Sequence, residues 1–474
     1  MKDLKSVLVI GNVDNSFLQT LKKDFFRIFF QEKIDFPKNE LINLFGIDNI
    51  KVDFIDIKDE GSVERILLKN LFSNLDIIKS KNCNLEEFEK TKAKIEEYKN
   101  YLDHTCAPYS DMGELFFTNI YQNIKNTKTV YSFELLKNKF KDRPAIIVGS
   151  APSLRDDFSF LKEASKKALL FVAGSTVSTF VNRDINFHFY TQIDPKASFI
   201  DDFKKADEKI GFFQTQTYYK NILESQKKVI LPDSQIFALE NFLHRKLSIS
   251  KEKFISNIDV TTAQLQIAKH LGCNPIILVG VDLCFEKHKC HSKDIKYAEN
   301  DNQTVQIKKD DRIIYTQKDF LMSKKYIEEF VRKNKDVKIY NGSQNSILEE
   351  LEKKTLNDFL KELGEIESSL DLNDCSVDIN NSRDLLKSIH SELNSLKDQI
   401  ESYFVALNNS QIDMELSKIK NSFLYELLLK PFWNILKNVI LKTVVDDPIH
   451  IHVNEVIFYK NLVDLHLNIL IKSL

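Results

Sequence analysis

Six short apolar runs punctuate the middle of the chain, and most break off at a small or polar residue. They occupy 145–150 (AIIVGS), 168–176 (ALLFVAGST), 187–194 (FHFYTQID), 211–217 (GFFQTQT), 228–234 (KVILPDS) and 275–282 (PIILVGVD). The runs are continuous rather than alternating, which is the pattern of strands buried on both faces. Helix-like segments separate most of them. The clearest is TTAQLQIAKHLG, 261–272, with Thr261 placed to cap it. Buried strands alternating with helices predict an α/β, doubly wound, Rossmann-like sheet, whose ligands sit outside the carboxyl ends of the strands.

The flanks read differently. Ser6–Asn12 and Ile50–Ile57 have strand composition, and the segment between them, Asn15–Phe30, has helical spacing. Asn84, with Glu87 three residues on, marks the start of a charged amphipathic helix. Beyond 346 the chain turns helical. Leu386, Ile389, Leu393, Leu396, Ile400, Tyr403 and Leu407 step alternately by three and four, a stripe expected to be the core of a helical bundle. The other reading of that stripe is a contact with a second copy, so a homo-oligomer stays open. The expected organisation is a small α/β domain at 1–83, a helical connector at 84–143, the Rossmann-like domain at 144–345 and an α-helical domain at 346–474.

Composition narrows the function classes. With 67 basic and 69 acidic residues among 474, no broad field attracts nucleic acid or anionic lipid. No uncharged apolar run reaches about 18 residues, so no membrane span is expected. The first residues lack the apolar core of a signal peptide, and the six cysteines form no Cys-x-x-Cys, which together predict reduced thiols and a cytoplasmic protein. Glycine is scarce, 11 in all, yet Gly149, Gly174 and Gly280 each follow an apolar run. A rare residue placed repeatedly at strand ends argues for special geometry or close ligand approach.

Candidate chemistry gathers at those ends. The exposed amides after Gly149 are expected to face an anion, with Ser150 and Ser153 in the loop and Pro152, which has no N–H, suited to a first helical turn. On this reading Gly149→Val blinds the loop to its nucleotide while leaving the fold intact. Gly174, Ser175, Gln192, Asp194, Gln214 and Asp282 supply hydroxyl, amide and carboxylate groups suited to a ribose or base edge. His291 is the imidazole placed for proton transfer near neutrality. Cys284, His288, Cys290 and His291 fit no common structural zinc spacing, so no metal and no cofactor is expected. No Walker loop, His-Glu-x-x-His or Gly-x-Ser-x-Gly motif occurs.

The ordered set RPAIIVGSAPSL, FVAGST, HFYTQIDP, AKHLGCNPIILVGVDLCF, CHSKD and IYNGS resembles the motility accessory factor (Maf) family of bacterial flagellin glycosyltransferases, over about 120–345. That family's central domain is similar to sialyltransferases with a Gly-x-Gly-Pro-Ser-Leu nucleotide loop. The resemblance implies transfer of a nonulosonic acid, of pseudaminic or legionaminic type, from its CMP-activated form to Ser or Thr hydroxyls of flagellin. By motif, Gly149, Pro152, Ser153 and Leu154 fall in the nucleotide loop, Gly174 and Ser175 at the second strand end, and Asp194, Gly280 and Asp282 in the two acidic motifs. Asp194, Asp282 and His291 remain alternative bases for the acceptor hydroxyl. Here Ala151 stands where the family often has glycine, and Val281 where glutamine is commoner. The same domain family includes 6-hydroxymethyl-dihydropterin pyrophosphokinases, the alternative function; a non-catalytic binding protein for flagellin or a nucleotide sugar is the third. The polar face bearing Lys387 and Lys397 is expected to dock the acceptor.

Overall fold

The computed structural model describes residues 5–18, 20, 25–31, 51–54, 56, 58–70, 75–80, 83–196, 199–232, 237–249, 259–285, 304–309, 312–366, 372–407, 411–440 and 448–474. The chain divides into two compact units. One comprises Met1–Glu114 and His390–Asn468, the other Leu115–Ile389 and Ile469–Leu474.

The first unit contains a four-stranded parallel sheet built from β1 (Lys5–Ile10), β2 (Phe25–Phe30), β3 (Lys51–Phe54) and β4 (Leu75–Lys79), in the order β3-β2-β1-β4. The helical expectation for Asn15–Phe30 is corrected. Among its described residues Asn15–Leu18 alone is helical, and Phe25–Phe30 is an inner strand whose Ile28, Phe29 and Phe30 are fully buried. A short apolar run fits a buried strand and a buried helix face equally well, and aromatic density favours the strand. Asn84 caps the helix Leu85–Ser110 as expected, its side chain accepting from the amides of Glu86 and Glu87 at 2.8 and 3.4 Å.

Also in this unit are the helices Ile412–Asn421 and Lys430–Ile440 and most of Ser382–Ala406 and Pro448–Ser473. All seven residues of the heptad stripe are buried, as expected of a bundle core. No helix among the described residues is long and apolar enough to cross a membrane.

The second unit holds a ten-stranded sheet. Its strands are β5 (Thr129–Tyr131), β6 (Ala145–Val148), β7 (Leu169–Ala173), β8 (Phe189–Gln192), β9 (Ile210–Phe213), β10 (Lys227–Ile230) and β11 (Ile276–Val279). After a separate hairpin of β12 (Thr304–Lys309) and β13 (Arg312–Gln317), the sheet takes up β14 (Ile339–Asn341), β15 (Glu352–Lys353) and β16 (Ser376–Asp378). The order is β15-β14-β11-β6-β7-β8-β9-β10-β5-β16, parallel throughout except for β16 against β5. All six apolar runs read from the sequence are strands of this sheet. The helix Val260–His270 starts two residues earlier than a cap at Thr261 would place it, and its cap is Asp259; Asp259 and Thr262 form a reciprocal capping box. Asp259 offers a carboxylate oxygen free of a methyl group, the better N-cap.

Candidate functional site

The strand order reverses between β6 and β11. From β6 the chain winds outward through β7, β8, β9 and β10, then returns to place β11 on the other flank. Such a switch point opens a crevice at the carboxyl ends of the two strands, and the two glycine-bearing loops meet there. A Cβ on Gly149 would lie 2.3 Å from the Gly280 carbonyl oxygen. Gly149 is therefore required by the approach of the neighbouring loop, not by a sharp backbone turn. Gly280 has φ +64°, where glycine is favoured, and a Cβ there would press on Leu154.

Four amides of the loop, those of Gly149, Ala151, Ser153 and Leu154, are committed within the protein. Gly149 N–H donates to the Val279 carbonyl at 2.8 Å, Ala151 N–H to the Gly280 carbonyl at 3.0 Å, and Leu154 N–H to the Ala151 carbonyl at 3.1 Å. Ser153 donates twice to Asp282: its N–H to Oδ2 at 3.2 Å and its hydroxyl to Oδ1 at 2.5 Å. Pro152 occupies the first position of the short 3-10 helix Pro152–Asp157, as the sequence suggested. For Ala151 and Ser153 the expectation of amides facing an external anion is thus corrected: the Gly280 carbonyl takes the first and a buried carboxylate of the same chain the second. Asp282, 2% exposed, pins one loop to the other. Burial, with the carboxylates of Asp156 and Asp282 nearby, pushes Asp157 up to about 6.

A second polar group lies at the ends of β7, β8 and β9. Gly174 and Ser175 begin a short 3-10 turn after β7. A Cβ on Gly174 would meet the Gln192 Oε1 at 2.8 Å, so the missing side chain makes room for that amide. Gln192 is buried, and its Nε2 makes no hydrogen bond to the protein among the described residues. The loop Gln214–Thr217 is held from several sides. Asn123, on the helix Gly113–Asn126, donates to the carbonyls of Thr215 and Thr217 at 2.7 and 2.8 Å. Asn119, one turn earlier, donates to those of Gln216 and Pro195, both at 3.0 Å. Thr217 donates to the Gln192 carbonyl at 2.9 Å, and Gln216 to Gln214 Oε1 at 3.0 Å. Beneath the loop, Thr215 bonds Glu240 and His244, which lie one turn apart on the helix Ala238–Lys246. Burial pulls His244 down to about 4, so its ring is neutral at pH 7.

Among the expected site residues, Gly149, Pro152, Ser153, Gly280 and Asp282 come together at the switch point. Gly174, Gln192 and Gln214 fall in the second group, and Ser150 and Ser175 are half-buried at their strand ends. Asp194 folds back on its own turn, its Oδ1 accepting from the Lys196 amide at 2.7 Å. His291 lies outside the described residues, as do His288 and Cys290; Cys284 is buried and donates to the Asn345 carbonyl. Among the described residues no cluster of His, Cys, Asp and Glu is arranged to hold a metal ion. Val281 packs into the apolar core, where a glutamine amide would be buried. Sequence reading missed Asn119, Asn123, Glu240 and His244. The only signal for each pair is a four-residue spacing on one helix face, too common to single out.

Comparison with known proteins gives three findings. Residues 118–288 match the family model described as 6-hydroxymethylpterin diphosphokinase MptE-like. The chain shares the fold of the Maf glycosyltransferase from Magnetospirillum magneticum AMB-1, at 12% identity and a TM-score of 0.53, covering 94% of this chain and 73% of that one. The sialyltransferase CstII from Campylobacter jejuni, solved with cytidine-5'-monophosphate, overlaps at 16% identity and a TM-score of 0.21, covering 45% of this chain and 85% of that one. That overlap is too loose to carry an argument. No curated protein matches the chain.

Proposed function

We propose that the protein is a glycosyltransferase that moves a nonulosonic acid from its CMP-activated form to Ser or Thr hydroxyls of flagellin. The observation that carries this reading is the shared fold with a Maf glycosyltransferase over 94% of the chain. Four of the motifs that resemble that family, those ending in SAPSL, GST, QIDP and GVDLCF, run off strands at the carboxyl edge of the sheet, where such folds bind ligands.

The reaction joins the acceptor oxygen to the anomeric carbon and breaks the bond from that carbon to the phosphate oxygen. CMP leaves with the bonding electrons, and the acceptor proton passes to a base. The carbon is oxocarbenium-prone and the phosphate a good leaving group, so positioning carries much of the catalysis. The doubly bonded pair Ser153 and Asp282 sets the loop that frames the phosphate, which makes Asp282 a positioning residue in this scheme. The hydroxyls of Ser150 and Ser175, at the ends of β6 and β7, are the proposed contacts to phosphate and ribose. Asp194 and His291 remain the alternatives for the base. Gln192, at the end of β8, and Gln214, on a loop whose clamps fix it before ligand arrives, offer neutral amides to the sugar or base.

A thermal-shift panel of CMP, CDP, ATP and a pterin tests the reading, because a specific ligand stabilises by RT ln(1 + [L]/Kd). CMP raising the melting temperature above the other ligands supports it. The diphosphokinase reading is favoured by the family match over 118–288. Magnesium-dependent transfer of diphosphate from ATP to a hydroxymethylpterin, with no response to CMP, would establish that reading instead.

A further inference from the structure

Gln264 is out of place in the helix Val260–His270. Its neighbours Ala263, Ile267, Ala268 and Leu271 form a buried apolar stripe in the main core of the second unit. At about 100° per residue, position 264 falls in the middle of that stripe, facing the sheet. The side chain is 0% exposed, and neither Nε2 nor Oε1 makes a hydrogen bond to the protein among the described residues. An amide buried with both halves unpaired is strongly unfavourable.

The helix packs over β6, β7 and β8. It ends just before β11 begins, so it runs antiparallel to the strands and its capped start lies at their carboxyl edge. Helical side chains lean toward the start of their helix, which carries the Gln264 amide toward that edge. Thr191, on β8, is also fully buried, with no hydrogen bond from Oγ1 among the described residues. It lies two residues after Phe189, which shares the apolar cluster of Ala263 and Ile267, so strand alternation turns it to the same face. On that face β7 ends in the small side chain of Ala173, while the space beside Gly149, just after β6, is taken by the Gly280 backbone.

We propose that Gln264, with Thr191, forms the floor of the binding crevice and pairs with the edge of an uncharged nitrogen heterocycle, where a hydrogen-bond donor sits beside an acceptor. This deepens the functional reading above and rests on it. A neutral amide among apolar side chains suits a flat neutral ring; a sugar acid brings a carboxylate, to which Gln264 presents a single amide donor group. The same edge chemistry comes from a nucleotide base or from a pterin, and the experiment separates them.

The test is isothermal titration of the full chain and its Gln264→Leu and Thr191→Val variants with CMP, ribose 5-phosphate and 6-hydroxymethyl-dihydropterin. Gln264→Leu removes the unpaired amide and keeps the volume; Thr191→Val is the milder change should the first variant misfold. The expected result is that Gln264→Leu melts at or above the wild type, yet binds CMP at least about tenfold more weakly, the cost of leaving base groups unpaired. Ribose 5-phosphate binding is unchanged, and Thr191→Val shows the same pattern in smaller degree. Loss of pterin binding with CMP unaffected would assign the floor to a pterin and overturn the nucleotide-base arm. Folded variants binding every ligand like the wild type would overturn the proposal, leaving a solvated amide and the glycosyltransferase reading intact. Failure of the wild type to bind CMP or the pterin would overturn both readings together.

Discussion

Ser153 and Asp282 are bonded to each other twice, backbone amide to Oδ2 at 3.2 Å and hydroxyl to Oδ1 at 2.5 Å, across 129 residues of sequence. The pair joins the loops after β6 and β11, the two strands that flank the reversal of sheet order. The carboxylate that reads in sequence as a base therefore ties the two loops to each other.

Asp282→Ala leaves the Ser153 amide and hydroxyl buried without partners. The expected cost is about 1–3 kcal/mol of stability, from the desolvation of groups left unpaired. Asp282→Asn, which keeps an acceptor for the amide, is expected to cost less. Denaturant unfolding of both variants checks the order, and equal stability of Asp282→Ala and wild type would dissolve the tether.

Gly149→Val is expected to give misfolded or insoluble protein. Its Cβ would lie 2.3 Å from a backbone oxygen of Gly280, and backbone yields less readily than a flexible side chain. The overpacking cost is roughly 3 kcal/mol or more. This replaces the sequence-based expectation of a folded, nucleotide-blind variant, and soluble expression with a circular-dichroism melt decides between them.

Acid is expected to destabilise the second unit. Burial, then the cations Lys209 and Arg143, hold His188 down to about 4, and burial alone holds His244 to about 4, against an ordinary 6.5. Between those values the unfolded chain binds more protons, so stability falls as pH drops from 6.5 toward 4. The loss is on the order of 2–3 kcal/mol per histidine at about 1.4 kcal/mol per pH unit. Asp157 acts in the opposite sense. Its folded value of about 6 exceeds the ordinary 3.8, so its contribution is lost as pH rises through 6 and recovered on acidification. Two histidines outweigh one carboxyl. Calorimetry at pH 7 and pH 5 should show lower stability at pH 5, with the slope reduced in His244→Gln.

Asn123→Leu strips the partner from the buried carbonyls of Thr215 and Thr217. The expected cost is about 1–3 kcal/mol, with faster amide hydrogen exchange across 214–217 and weaker nucleotide-sugar binding. Unchanged exchange would show that Glu240 and His244 suffice to hold the loop.

Much of this fold is legible in the sequence because burial on both faces writes itself as continuous apolar runs. All six central strands announce themselves that way, and the stripe from Leu386 to Leu407 does the same at helical spacing. Phe25–Phe30 defeats the reading because six residues, five of them apolar, fit either period. Partners far apart in sequence defeat it more thoroughly. Nothing near Ser153 points to Asp282, and nothing near Thr215 points to Glu240 and His244. Lys397 reads as a solvated docking residue, yet its Nζ lies 2.9 Å from Asp464. Lys397→Glu would set two acids together there, so it is a poor probe of acceptor docking. Gln264 passed as one polar residue of a helix-like segment, and only burial reveals its position.

The measurement that bears most directly on the proposed function is transfer itself. Purified protein is incubated with CMP-linked pseudaminic or legionaminic acid and unmodified flagellin, and the flagellin is weighed by intact-mass spectrometry while released CMP is quantified. The expected result is a mass gain of one or more nonulosonic acid residues on Ser or Thr, matched by CMP released in equal number. Unmodified flagellin with either donor and no CMP release, from protein shown to be folded, would contradict it.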